Sequence, residues 1–336
     1  MMKPIRTIVW MLMVLALAGG GELFGWTKPS VTKIAVITDV HHRDDVASVY
    51  WQVMPGDYHW RQFSTAEARL TAAVDDANAA GCDLFITLGD IVDGGEPDEL
   101  DRLNECLTIT NTFAGDVVSF TLGNHCYGLW GTDIDVFWGA IETNSNHAVR
   151  KRIYTESGQA LGYAFDYNQY RFVSMYAQGN SGNISAEQLD WLYKGDGSGV
   201  LETPLKCIVM AHGVIYVDGI HDTQWYDSVG NPSAVIERFE AAGNVILVMS
   251  GHFHRNGIDG YDNQFVNTVN GITYLALRGS ILSKTNGTED NGTVEDSAHW
   301  VVEIEDDGDN LNIVITGYKM GESDSIVVAK PKGLVG

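Results

Sequence analysis

The stretch that decides the fold is NVILVMSGHFH, residues 244–254. Its first seven residues are a Val-, Ile- and Leu-rich run with the length of a strand buried on both faces. Gly251 ends the run, where a residue without Cβ lets the backbone turn sharply and approach a bound ion. His252 and His254 stand one residue apart and can reach two neighbouring metals. A His-x-His pair alone is weak evidence, so its weight depends on what ends the other strands.

Earlier in the chain the same pattern recurs. Residues 31–38 (VTKIAVIT) read as a buried strand ending at Asp39-Val40-His41. Side-chain direction repeats every two residues along a strand, so Asp39 and His41 fall on one side and can grip one cation. Residues 83–88 deliver Gly89-Asp90-Ile91-Val92-Asp93, residues 117–122 deliver Gly123-Asn124-His125-Cys126, and residues 205–211 end at His212. The spacing between strands predicts helices over 64–80, 99–109, 133–142, 185–193 and 232–242. The first opens on a Ser64/Glu67 capping box and stops at Gly81, and the last opens on Pro232. A hairpin is expected across Asn168 and Gln169, and further strands within 264–277, 299–305 and 311–318, which gives two stacked sheets. Strand, helix, strand with polar residues at the strand exits is the doubly wound α/β pattern, whose ligands bind outside the carboxyl ends of the strands. Residues 42–63, with Tyr50, Trp51, Tyr58, His59 and Trp60, show no clear period and read as an aromatic insertion. Such side chains either pack the insertion onto the domain or stack on a base or sugar of a substrate.

A chain of 336 residues, 45% hydrophobic, fills a sizeable core, and its formal charge of −23 disfavours nucleic-acid polymers and anionic membranes as partners. Lys3 and Arg6 precede an apolar run over 8–18, too short for the ~20 residues that span a bilayer. The pattern reads as a secretory signal over 1–18, followed by a linker over 19–30, one catalytic domain over 31–320 and a tail over 321–336. A secreted or periplasmic protein is expected, with an uncleaved N-terminal anchor as the alternative and no stable membrane insertion. Cys82, Cys106, Cys126 and Cys207 permit several disulfide pairings and establish none.

The polar residues at the strand exits are Asp39, His41, Asp90, Asn124, His125, His212, His252 and His254. Oxygen and imidazole donors without thiolates suit Mn, Fe or Zn, and their number suits two ions sharing a carboxylate. The ordered set Asp-x-His, Gly-Asp-x-x-Asp, Gly-Asn-His, His, Gly-His-x-His resembles the calcineurin-like metallophosphoesterase superfamily over nearly all of residues 31–254. The resemblance implies a four-layer α-β-β-α sandwich with two stacked mixed sheets. It also implies a dinuclear metal centre: Asp39, His41 and His254 on the first ion, Asp90 bridging, and Asn124, His212 and His252 on the second. Hydrolysis of a phosphate ester would use a hydroxide held between ions ~3.5–4 Å apart, with His125 as general acid. His125 can alternatively be read as a ligand or as a donor to one.

Two positions depart from the family pattern. Cys126 stands where an acid usually follows Gly-Asn-His, which removes a carboxylate expected to raise the pKa of His125. Asp93 stands where purple acid phosphatases have tyrosine, and it reads as an acceptor for a ligand rather than as a ligand. The expected substrate is a small phosphate mono- or diester. A looser likeness extends to nucleotide phosphodiesterases and to Mn-dependent ADP-ribose/CDP-alcohol diphosphatases, with Tyr50 and Trp60 as candidate leaving-group contacts. The alternative is a metal-bearing scaffold that binds a phosphorylated ligand without turnover, with Cys126 marking the loss.

Overall fold

A computed structural model describes residues 31–43, 48–54, 57–62, 65–93, 99–126, 134–146, 148–177, 182–215, 229–253, 264–280, 282–285, 297–306, 310–319 and 324–329. The chain divides after Ser30, and Val31–Gly336 forms one compact unit. The expected signal and linker lie outside the described residues, as does His254. The strands are β1 (Val31–Ile37), β2 (Ser48–Met54), β3 (Asp57–Gln62), β4 (Leu84–Thr87), β5 (Val117–Phe120), β6 (Lys151–Glu156), β7 (Gln159–Tyr167), β8 (Tyr170–Ser174), β9 (Lys206–Ala211), β10 (Val245–Phe253), β11 (Gln264–Val269), β12 (Ile272–Arg278), β13 (Leu282–Thr285), β14 (Ala298–Asp306), β15 (Asn310–Lys319) and β16 (Asp324–Ala329). The helices are α1 (Ala66–Ala80), α2 (Glu99–Thr110), α3 (Ile134–Asn144), α4 (Ala186–Leu192) and α5 (Pro232–Ala242).

A six-stranded sheet runs β16-β15-β14-β1-β4-β5, a seven-stranded sheet runs β11-β12-β10-β9-β8-β7-β6, and a small sheet runs β13-β3-β2. The six-stranded sheet carries its parallel strands, β1-β4-β5, at one end with antiparallel strands beyond β1, and the seven-stranded sheet has a parallel centre, β12-β10-β9-β8, flanked by antiparallel strands. The parallel strands are the continuous apolar runs of the sequence, as burial on both faces requires. Leu84–Thr87 and Val117–Phe120 are buried at every position. One core cluster joins Leu70 and Val74 of α1 and Phe137 of α3 to Phe85, Phe120, Phe172, Met210 and Leu247 of the two sheets. A second packs Leu192 of α4 and Val235 and Phe239 of α5 on Val173, Val209 and Val248. Helices, sheet, sheet, helices is the four-layer order the resemblance implies. No helix among the described residues is long and apolar enough to cross a membrane.

Several local expectations change. The N-cap of α1 is Thr65, with no capping bond from its side chain, and Ser64 of the expected Ser64/Glu67 capping box lies outside the described residues. Glu67 places its carboxylate 3.5 Å from His42 Nε2. Residues 264–277 form the hairpin β11–β12, because Asn270 and Gly271 take the positive φ values of 52° and 81° that a tight turn demands. The insertion is not irregular: β2 and β3 pair and recruit β13. Strand β16 pairs with β15 inside the stretch expected as a tail. β6 went unforeseen because it is exposed at most positions and carries no apolar alternation.

The two large sheets are fastened by Tyr163. Its buried hydroxyl lies 2.7 Å from Ser119 Oγ, accepts from Phe120 N at 3.1 Å and donates toward Phe120 O at 3.0 Å. Removing it strands a buried donor on the strand that leads to Asn124 and His125. Tyr163→Phe is therefore expected to lower unfolding stability by about 1–3 kcal/mol. An unchanged urea midpoint would show that the tie carries no weight.

Candidate metal centre

The carboxyl ends of β1, β4 and β5 meet those of β9 and β10, and the polar residues predicted at those ends come together. The loops are laced by backbone bonds: Asp39 N donates to Gly89 O at 3.1 Å, His41 N to Asp90 O at 2.8 Å, and Gly251 N to His212 O at 2.9 Å. Two glycines are required by close approach. A Cβ on Gly123 would lie 2.0 Å from Asp90 Oδ1, and one on Gly251 would lie 1.9 Å from Thr38 Oγ1. Asp39, His41, Asp90 and His252 all have positive φ, between 48° and 65°. Each such non-glycine residue costs about 1–3 kcal/mol, a strain that persists only where the surroundings over-determine it.

Ligand atoms of Asp39, Asp90, His212 and His252 lie within 4.8 Å of one another, as do those of His41, Asp90 and His125. Asp90 belongs to both groups. Asp39, His41, Asp90 and His212 are 0% exposed, and Asn124 and His125 are buried. Asp39 Oδ1 lies between the groups, 3.7 Å from His41 Nε2 and 3.9 Å from His212 Nε2. His254 cannot be placed, since it falls outside the described residues.

The donors demand a cation. His212 Nδ1 donates to Leu88 O at 2.8 Å, which leaves its Nε2 with the lone pair. That nitrogen faces Asp90 Oδ2, Asn124 Oδ1 and His252 Nδ1, each at 3.0 Å. Two acceptor oxygens this close to a lone pair repel it unless a proton or a metal lies among them. Asp90 Oδ2 is buried and accepts no well-aligned hydrogen bond. Burial pushes the His212 imidazole down, but Asp90 and Asp39 outweigh it and hold the group up at about 9. A proton thus takes the place of the cation when none is bound. Burial works against ionisation of Asp90, yet His212 and His125 keep its carboxyl far below the usual range.

Asp93 sits behind this cluster. Its Oδ1 lies 2.8 Å from His41 Nδ1 and 2.6 Å from His125 Nδ1, and its Oδ2 accepts from Arg43 Nη1 at 3.2 Å. Burial opposes its charge, but the two imidazoles hold the carboxyl well below the ordinary range. An ionised Asp93 accepts from both Nδ1–H groups, which fixes both rings and leaves His41 Nε2 facing Asp39 and Asp90. It thus accepts from His41, a candidate ligand, and gives His125 a carboxylate partner that Cys126 cannot. The Cys126 thiol is buried and pushed up to about 12 by that burial, which makes it inert. All four cysteines are free and buried.

Apart from Asp93, sequence reasoning missed the groups that hold the candidate ligands. Thr38 Oγ1 donates to Asp39 Oδ2 at 2.6 Å, and His252 N donates to the same oxygen at 2.9 Å. Ser280 N donates to Thr38 O at 2.7 Å. Thr38, directly before Asp39, was the one such group the sequence could have exposed. A third group, His42, Glu67 and Glu105, also has metal-ligand geometry, but Arg102 already pairs with Glu105. Tyr50 and Trp60 are Cα partners across β2 and β3.

A model of the calcineurin-like phosphoesterases matches residues 32–256. Among solved structures, a dimetal phosphatase from Danio rerio aligns with a TM-score of 0.61 at 16% identity, over 89% of this chain and 99% of that one. A Staphylococcus aureus protein described as a 5′-nucleotidase aligns at 0.47 and 16% identity, over 89% of this chain and 54% of its own. A 5′-nucleotidase precursor from Thermus thermophilus aligns at 0.44 and 11% identity, over 91% and 55%. No curated protein sequence matches this chain significantly.

The raised His212 pKa has a definite pH signature. In the metal-free chain its stabilising contribution is complete below about 6.5 and is lost as pH rises through about 9. Metal must displace that proton, so affinity for Mn²⁺ should rise with pH and level off above about 9. Titration calorimetry in two buffers should show proton release at pH 7.5. Constant affinity from pH 7 to 9 with no proton released would refute this assignment.

Proposed function

Because the chain belongs to the calcineurin-like phosphoesterase family and is a phosphoester hydrolase, we propose that it cleaves small phosphate mono- or diesters, nucleotide-type esters among them, with His125 as general acid. The observation that carries this reading is Asp90, fully buried and shared by two groups of ligand atoms. Asp39, His41, Asp90, Asn124, His212 and His252 would hold two cations of the Mn, Fe or Zn type, with His254 added from the sequence. Bound there, such ions neutralise phosphoryl charge and activate a water.

The chain's own contribution is proton control. His125 N donates to Asp90 Oδ1 at 2.8 Å, which pins the residue beside the shared carboxylate. Its Nδ1 is engaged by Asp93, so Nε2 is the nitrogen that gives a proton to the departing alcohol oxygen. The Asp93 carboxylate holds the ring in the orientation that this transfer needs. The ring stands edge-on to His41, with centroids 4.7 Å apart, which restricts its rotation. For the leaving group we propose the small sheet, where Trp60 is the Cα partner of Tyr50 on one side and of Lys284 on the other. The basic start and short apolar run before residue 19 support export to the periplasm or medium.

Purified protein with Mn²⁺ should hydrolyse bis(p-nitrophenyl) phosphate or p-nitrophenyl phosphate, and a chelator should abolish the activity. His125→Ala should lower kcat by about 10²–10⁴-fold with metal content unchanged. Full metal occupancy without turnover of either substrate would favour the scaffold reading. With Asp93 in place of a tyrosine, the iron-loaded protein should lack a tyrosinate charge-transfer band in the visible, and a purple product would contradict this. Tyr50→Ala and Trp60→Ala should raise KM for nucleotide substrates. If both leave KM unchanged, the small sheet does not bind the leaving group.

A further inference from the structure

Arg69 occupies a position that disfavours it in three ways. It is 0% exposed on the apolar side of α1, in line with Leu70, Ala73 and Ala77. It lies in the first turn of that helix, at the positive end of the helix dipole, where cations are unfavourable. It makes no ion pair with any carboxylate among the described residues, and burial alone pushes its guanidinium down to about 9. A buried charge without a counter-ion is expensive and persists only where other polar groups compensate it.

Those contacts are two backbone carbonyls. Nη2 donates to Val40 O at 2.7 Å and Nη1 to Ser280 O at 3.2 Å, while Nε finds no partner. Val40 is the residue between Asp39 and His41, both of which have left-handed backbone, with φ of 55° and 48°. Ser280 is bound to the same loop from the other side: its N donates to Thr38 O at 2.7 Å and its Oγ to Asp39 O at 3.3 Å. The planar fork of the guanidinium thus joins the two segments that flank Asp39. Backbone bonds to Gly89 and Asp90 restrain residues 39 and 41, and Arg69 supplies the restraint on residue 40 between them.

We propose that Arg69 is a positioning residue of the metal centre, which holds the Asp39-Val40-His41 loop in its strained ligand-presenting form. Without the fork, residues 39–41 relax toward negative φ and the two side chains no longer converge with Asp90. Lysine cannot substitute fully, because a single ammonium lacks the rigid pair of donors that reaches both carbonyls. The inference rests on the reading of Asp39 and His41 as ligands and does not depend on hydrolysis.

The test compares the wild type with Arg69→Met and Arg69→Lys in the full chain. The readouts are Mn²⁺ and Zn²⁺ stoichiometry, affinity against a competing chelator, and thermal midpoints with and without metal. Arg69→Met should keep the far-ultraviolet circular dichroism of the wild type, bind one ion where the wild type binds two, and lose roughly tenfold or more in affinity for the other. Arg69→Lys should fall between. The rise in midpoint on adding metal should shrink in both variants, a change that a purely structural arginine would not produce. Two ions bound at wild-type affinity in Arg69→Met would overturn the proposal, as would failure of both variants to fold without metal. A wild type that binds no metal would overturn the reading of the centre itself, which separates that failure from this one.

Discussion

Two carboxylates, Asp39 and Asp90, are buried beside four imidazoles and an amide oxygen at the meeting point of five strand ends. Burying such charges costs several kcal/mol each unless cations compensate them. In the metal-free chain the compensation is partial and comes from protons on histidines, which explains why His41 and His212 are both raised despite complete burial. The rest of the architecture serves this constraint. Parallel strands bring their carboxyl ends to one place, and glycines at 123 and 251 let neighbouring loops touch where a Cβ would collide. The positive-φ backbone at 39, 41, 90 and 252 accompanies the convergence of these side chains.

Behind the ligands stands a layer of groups that fix how each one points. Leu88 O sets the tautomer of His212, Thr38 holds one oxygen of Asp39, and Asp93 orients His41 and His125 together. On the proposed reading the last of these links proton transfer to metal holding, since one carboxylate serves the candidate ligand His41 and the proposed acid. It also explains how the chain tolerates Cys126. The carboxylate usually found next in sequence is supplied from another strand end.

Much of this was legible in the sequence, and the reason is physical. Buried parallel strands are written as uninterrupted apolar runs, and the residues that end them are polar in an otherwise apolar neighbourhood. That contrast exposed Asp39, Asp90, Asn124, His212 and His252 together with their glycines. The insertion was illegible because residues 48–54 and 57–62 mix aromatic, charged and polar residues with no apolar run of strand length to detect. Arg69 left a trace that was not used: a cation in register with Leu70 and Ala73 on the buried side of a helix. Asp93 was assigned to a ligand, but its second partner, His125, lies 32 positions away by number and is joined to it only by the fold.

The central claim is that Asp90 is shared between two cations. Anomalous diffraction from a crystal grown with Mn²⁺ tests it most directly. The account predicts two peaks about 4 Å apart, one on each side of the Asp90 carboxylate. One should lie against His41 and the other against His212 and His252. A single peak, or two that leave Asp90 uncoordinated, would contradict it.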